Sequence, residues 1–139
     1  MEAKLKHLEF IQTAISRMAT NSFLFKGWSI TIAAGLAAFA AVDTRRALLA
    51  IALISTVMFW GLDGYYLWLE RCFIKLYGRV SKLDDKDIDF DMRPATSGGW
   101  SEWLKTCVCR PHLWLFYGAI IAIEVIRIVV IKHTGGKAH

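Results

Sequence analysis

Residues 47–69, ALLAIALISTVMFWGLDGYYLWL, decide the fold: twenty-three residues in which Asp63 is the one charge. A helix that crosses a hydrocarbon core of about 30 Å needs ~20 mostly apolar residues, so this run is long enough to span. Two further runs share the property: 27–42, between Lys26 and Asp43, and 111–131, broken only by Glu124 and Arg127. The chain has 139 residues, 55% of them hydrophobic, and a mean hydropathy of +0.39. A soluble domain of this length has too little interior to hide three helices that are apolar all round. The expected fold is an all-α membrane protein with an amphipathic N-terminal helix, three transmembrane helices and a second span extended into a cytoplasmic helix.

The boundaries follow from composition. Residues 1–23 form the amphipathic helix, with Leu5, Leu8, Ile11 or Gln12, Ile15 and Met18 at helical spacing among Lys4, Lys6, Glu9 and Arg17. It is too polar to cross a bilayer, and either lies on the surface or packs on another helix. Residues 24–69 form a hairpin of two spans joined by the short turn Val42-Asp43-Thr44-Arg45-Arg46. From Leu48 to Leu83 there is no proline, so one helix of roughly 36 residues and ~54 Å overshoots the membrane. Residues 70–110 comprise that overshoot, an acidic loop and a short interfacial helix begun by Trp100 and Trp103. Residues 111–132 are the third span, with Pro111 in its first turn, and 133–139 are the tail. Ala38-Phe39-Ala40 has the small-residue pattern of a cleavage site, but the 26 residues ahead of the first run are too many for a leader, so the run is expected to be retained.

Charge orients the chain. The formal net charge is +5. Twelve Lys and Arg fall in residues 1–26 and in the loop between the second and third spans, against four, Arg45, Arg46, Lys132 and Lys137, on the other side. By the positive-inside rule the N-terminus and the long loop are cytoplasmic, in a bacterial inner membrane. Trp28, Trp68, Trp100, Trp103 and Trp114 cluster near the same ends, where amphipathic rings rest among headgroups. Cys72, Cys107 and Cys109 then face a reducing compartment, and a disulfide framework is not expected. Cys107, Cys109 and His112 match no standard zinc spacing. Five aspartates in 84–91 mark a solvated loop; Asp87, Asp89 and Asp91 alternate like the start of an EF-hand, but Met92 and Gly98 stand where that loop needs glycine and glutamate.

Three constellations carry functional expectations. Asp63, Glu124 and Arg127 are charges at membrane depth, which usually face a bundle interior or a watery path. Local spacing pairs Glu124 with Arg127 across one turn, and puts Arg71 or Lys26 within reach of Asp63. Arg71, Lys75, Arg79 and Lys82 share one helical face, suited to anionic headgroups or a phosphate-bearing ligand. Gly27, Thr31 and Gly35, with Ala34 and Ala38, recur at intervals of four, and such small-residue rows promote close helix contact in lipid. These rows place the first span inside a bundle. Neither a metal site nor a cofactor is expected, and no Gly-rich phosphate loop, nucleophile elbow or HExxH motif is present, which argues against an enzyme.

The segments His7-Leu8-Glu9-Phe10-Ile11-Gln12, Lys26-Gly27-Trp28, Phe59-Trp60-Gly61-Leu62-Asp63-Gly64-Tyr65-Tyr66 and Ile88-Asp89-Phe90-Asp91-Met92 resemble a family of small uncharacterised bacterial inner-membrane proteins. The helix, membrane hairpin, helix layout is similar to that of small membrane effectors of anti-phage defence systems. Three spans in one protomer leave no room for a closed water path, and a ring of copies reconciles the packing rows, the membrane-depth charges and the helical overhang; the expected function is therefore a homo-oligomeric pore or channel-like effector, gated through its cytoplasmic helices by an anionic nucleotide or a soluble defence partner. The competing expectation is a membrane-anchored scaffold that recruits a soluble partner and conducts nothing. Lipids and further copies of the chain are the expected partners, and direct binding to double-stranded DNA is not. A small multidrug exporter ranks last, because the first span has no carboxylate at the membrane centre.

Overall fold

The computed structural model describes residues 2–42, 46–94 and 99–135. Four helices account for most of them: α1 over Glu2–Val42, α2 over Arg46–Val80, α3 over Gly99–Cys109 and α4 over Pro111–Gly135. Three of these, α1, α2 and α4, are long and apolar enough to cross a membrane, compatible with a multi-pass membrane protein. In their most apolar stretches only 11%, 28% and 17% of the residues are buried within the protein, so most of the apolar surface faces outward. Phe23, Phe39, Ile54 and Leu115 are among these exposed side chains. Residues 133–135, expected in the tail, continue α4; residues 43–45 of the expected turn, 95–98 of the loop and 136–139 of the tail lie outside the described residues.

The separate N-terminal helix expected over 1–23 is instead the first half of one continuous helix. α1 runs 41 residues without interruption, about 61 Å at the helical rise. Nothing in its sequence forces a break. It contains no proline, and its mid-helix Thr13, Thr20 and Thr31 hydroxyls donate back to the carbonyls of Glu9, Ser16 and Gly27, satisfying the hydroxyls without opening the helix.

α2 runs antiparallel beside α1 over its whole length. Its last turns project past the apolar stretch, as the proline-free sequence predicts, and there Leu76 and Val80 bury against Ile11, with Leu8, Ile15 and Phe73 packed around them. The helix closes with backbone bonds from Ser81 to Tyr77 and from Leu83 to Val80.

The acidic segment that follows is not merely solvated. Ile88 and Met92 pack onto the same cluster as Ile11, and Phe90 stacks on the buried His7 ring with centroids 5.3 Å apart. Lys4 fastens the segment from the other side, its Nζ donating to the Leu83 carbonyl at 2.8 Å and its backbone N–H to Asp85 Oδ1 at 3.1 Å. The aspartates themselves shape the chain. Asp89 and Asp91 accept backbone N–H bonds two residues on, the local turns such side chains favour, and Phe90 between them adopts φ +56°.

Leu76→Ala should cost about 3 kcal/mol, as truncation of a buried leucine usually does. Hydrogen exchange would show the loss as faster exchange of amides 2–15 and 84–92, with the amides around Asp63 unchanged.

Candidate functional site

Asp63 is fully buried between α1, α2 and α4, where an unpaired charge would be very costly. Every oxygen of it is used. Lys26 Nζ of α1 lies 2.6 Å from Oδ2, and Tyr117 of α4 donates its hydroxyl to the same oxygen at 3.2 Å. Ser22 of α1 donates to Oδ1, and its own oxygen accepts from Lys26 Nζ at 3.0 Å. Of the two cations within reach by sequence, Lys26 is the partner. It sits one turn from Ser22, so both groups come from one face of α1. Around this cluster Leu67, Leu113 and the buried Tyr117 ring pack with Phe59, Trp60 and Phe116.

One heptad along each helix a second polar layer repeats the first. Seven residues on from Ser22 is Ser29, seven back from Asp63 is Thr56, and seven on from Tyr117 is Glu124; all three are buried. Thr56 Oγ1 lies 3.2 Å from Glu124 Oε1 and 3.0 Å from the Ala52 carbonyl. One hydroxyl proton serves one of those acceptors at a time or is shared between them. Glu124 Oε2 and Ser29 Oγ are buried without a hydrogen-bond partner. A cavity of about 210 Å³ between α1, α2 and α4 is lined by Ala33, Ala37, Leu49, Ile120, Glu124 and Arg127, among others.

The pairing of Glu124 with Arg127 across one turn is not what forms. Glu124 turns to Thr56 on α2, and Arg127 Nη2 donates at 2.7 Å to the Ala37 carbonyl of α1. That carbonyl lies near the C-terminal end of α1, where the helix dipole favours a cation. Partners on other helices thus replace the local one.

The small-residue rows also lie elsewhere than inside the bundle. α1 meets its neighbours through Ser22, Ser29 and Ala33, whereas Gly27, Thr31, Ala34 and Ala38 are exposed and Gly35 is half-buried. A Cβ added at Gly27 or Gly35 would meet nothing within 4 Å. Arg71, Lys75 and Arg79 are exposed on α2, and Lys82 in the turn beyond it.

α3 lies across α2 and braces it beside Asp63. Trp103 Nε1 donates to the Gly61 carbonyl, and Trp60 Nε1 to the Cys107 carbonyl, each at 3.3 Å. Gly64 makes this crossing possible. A Cβ there would collide with Cys107 Sγ and come within 3.3 Å of Cys107 Cβ. Cys72, Cys107 and Cys109 are free thiols, the first two buried. Burial pushes the Cys107 thiol up, and the neighbouring Asp63 charge pushes it the same way. Among the described residues no group of three or more His, Cys, Asp or Glu is placed to hold a metal ion.

The sequence does not single out Ser22, Ser29 and Thr56, and Tyr117 reads there as a headgroup-level ring and not as the buried partner of Asp63. Their signal is a seven-residue spacing of polar groups, Ser22 and Ser29, Thr56 and Asp63, Tyr117 and Glu124, one pair on each long helix. Comparison with family models, curated proteins and solved structures gives no match.

Two outcomes are expected. Asp63→Ala leaves Lys26 unpaired and should destabilise the protein by about 3 kcal/mol, while the double variant Asp63→Leu/Lys26→Met recovers most of the loss, as replacing a whole buried pair commonly does; thermal unfolding in detergent reads both. In thiol alkylation of the folded protein Cys109 should react first and Cys107 slowly, because little of it is thiolate. Gly64→Ala should expose Cys107 by lifting α3.

Proposed function

We propose that this chain is a homo-oligomeric, pore-forming or channel-like protein of a bacterial inner membrane, with its N-terminus in the cytoplasm. The observation that carries the reading is the α1 face of Gly27, Thr31, Ala34 and Ala38, exposed in the protomer with Gly35 half-buried beside it, where a Cβ added at either glycine would meet nothing within 4 Å. In lipid, where apolar faces gain little by meeting one another, close approach of small residues is what joins helices. A neighbouring copy of the chain packs a different face against it, and repetition of that heterologous contact closes a ring.

The two polar layers supply the rest. Asp63, Lys26, Ser22 and Tyr117 in one, and Ser29, Thr56 and Glu124 in the other, give three apolar helices a polar seam, with Arg127 beyond. In the resting protomer the Asp63 layer is fully paired, whereas Ser29 Oγ and Glu124 Oε2 of the second layer are left without partners, and the seam is closed. Conduction requires the helices to shift so that the Lys26–Asp63 pair opens. The clamp between the N-terminal half of α1, the end of α2 and residues 84–92 is where a cytoplasmic trigger acts, an anionic nucleotide or a soluble partner of an anti-phage system. We read the chain as non-enzymatic.

A membrane-anchored scaffold is the second reading. It is favoured by the exposed cations Arg71, Lys75 and Arg79 on the projecting part of α2.

Reconstituted protein separates the two. Lys26→Ala should raise ion leak from liposomes at least several-fold over wild type, and Gly27→Leu/Gly35→Leu should both abolish the leak and reduce the crosslinked oligomer to monomer. A protein that is monomeric in every detergent and silent in both the wild-type and Lys26→Ala forms is not a pore, and co-purification of a soluble partner would then establish the scaffold.

A further inference from the structure

The crossing of α3 over α2 creates two cavities of opposite character. One, of about 550 Å³, is almost wholly apolar and is lined by Met58, Leu62, Tyr65, Trp68, Trp100 and Trp103, among others. The other, of about 610 Å³, is lined by Trp68, Arg71, Lys75, Glu102 and Lys105, among others. Trp68 borders both, and its Nε1 is buried with no hydrogen-bond partner. From Met58 to Trp68 is ~15 Å along α2, and from Trp68 to Lys75 a further ~10 Å. The sequence of surfaces along the helix is therefore aromatic and apolar towards the middle of α2, an indole N–H, then three cations.

Three cations face one carboxylate. Glu102 lies 3.7 Å from Lys75, both half-exposed, a pairing too weak to cancel the cationic surface. Arg71 and Lys105 have no carboxylate of their own in this cavity. An anion with an apolar body fits such a surface, and a free phosphate leaves the aromatic half unused.

We propose that the α2–α3 cleft binds an anionic phospholipid, with its phosphate at Arg71, Lys75 and Lys105 and its chains along Met58, Leu62, Tyr65 and Trp100. The Trp68 indole donates to an ester or phosphate oxygen at the boundary. An anionic headgroup without an ammonium is preferred, since a choline or ethanolamine would bring a fourth cation to the site. The proposal rests on the membrane reading above but not on conduction.

The full chain is reconstituted in vesicles of phosphatidylcholine with a minority of phosphatidylglycerol, extracted in mild detergent, and its retained lipids are counted by native mass spectrometry. Phosphatidylglycerol should be retained in strong preference to phosphatidylcholine. Arg71→Gln/Lys75→Gln/Lys105→Gln should weaken retention about a hundredfold, by the usual worth of three cations near an anionic surface, and Trp68→Phe and Trp100→Ala each by a smaller factor. Arg79→Gln/Lys82→Gln, which removes two cations outside the cleft, should leave retention within about twofold. Equal losses in the two charge variants would mean diffuse attraction to the membrane surface and would overturn the site. So would glycerol phosphate competing as well as the whole lipid, or Trp100→Ala changing nothing, because either outcome leaves a headgroup site without a lipid. If wild-type protein does not fractionate with the vesicles at all, the membrane reading falls too; if it inserts but selects no phosphatidylglycerol, only this inference does.

Discussion

The carboxylate of Asp63 organises the molecule. Asp63 cannot stay charged among apolar helices unless donors reach it from outside its own helix, and they come from both neighbours: Ser22 and Lys26 on α1, Tyr117 on α4. Sliding either neighbour by one turn would strand the charge. The register fixed there has effects far away. Eleven residues back on α1 and thirteen further on α2, it brings Ile11 against Leu76 and Val80; seven residues in the other direction it brings Glu124 to Thr56. The apolar contacts supply most of the adhesion, but they are tolerant of sliding, and the ion pair is not.

α3 depends on the same place. It rests on α2 through a glycine adjacent to the carboxylate, and two indole N–H groups tie the crossing to backbone carbonyls on either side. Short helices have little stability of their own, so α3 holds its position through this fit. The cleft between α2 and α3 exists only because Gly64 lets the two backbones approach.

Much of this could be read from the chain before its structure. The three long helices are plain in the apolar runs, because hydrophobic length is a coarse signal that survives any packing. The projecting end of α2 follows from the absence of a helix breaker. α1 is harder: residues 2–20 have the charge pattern of a separate helix, and the change of polarity near residue 24 looks like a change of element, although no residue there ends a helix. Asp63, Glu124 and Arg127 stand out because charges are rare in such runs, yet their partners do not. Serine, threonine and tyrosine hardly disturb hydropathy, and local spacing favoured Glu124 with Arg127 where contacts from α1 and α2 decide the outcome. The glycine and alanine rows show which face of α1 can be approached closely, but not by what. The acidic segment reads as solvated by charge alone, while Ile88, Phe90 and Met92 within it are what dock.

The unbroken course of α1 and α2 has a mechanical corollary. Each is a rod with no proline in it, and the two are fastened to each other near one end by Ile11 and Leu76 and part-way along by Lys26 and Asp63. A push applied where Phe90 covers His7 therefore travels along both rods to the next place at which they are fastened, and the load falls on the contact between Lys26 and Asp63.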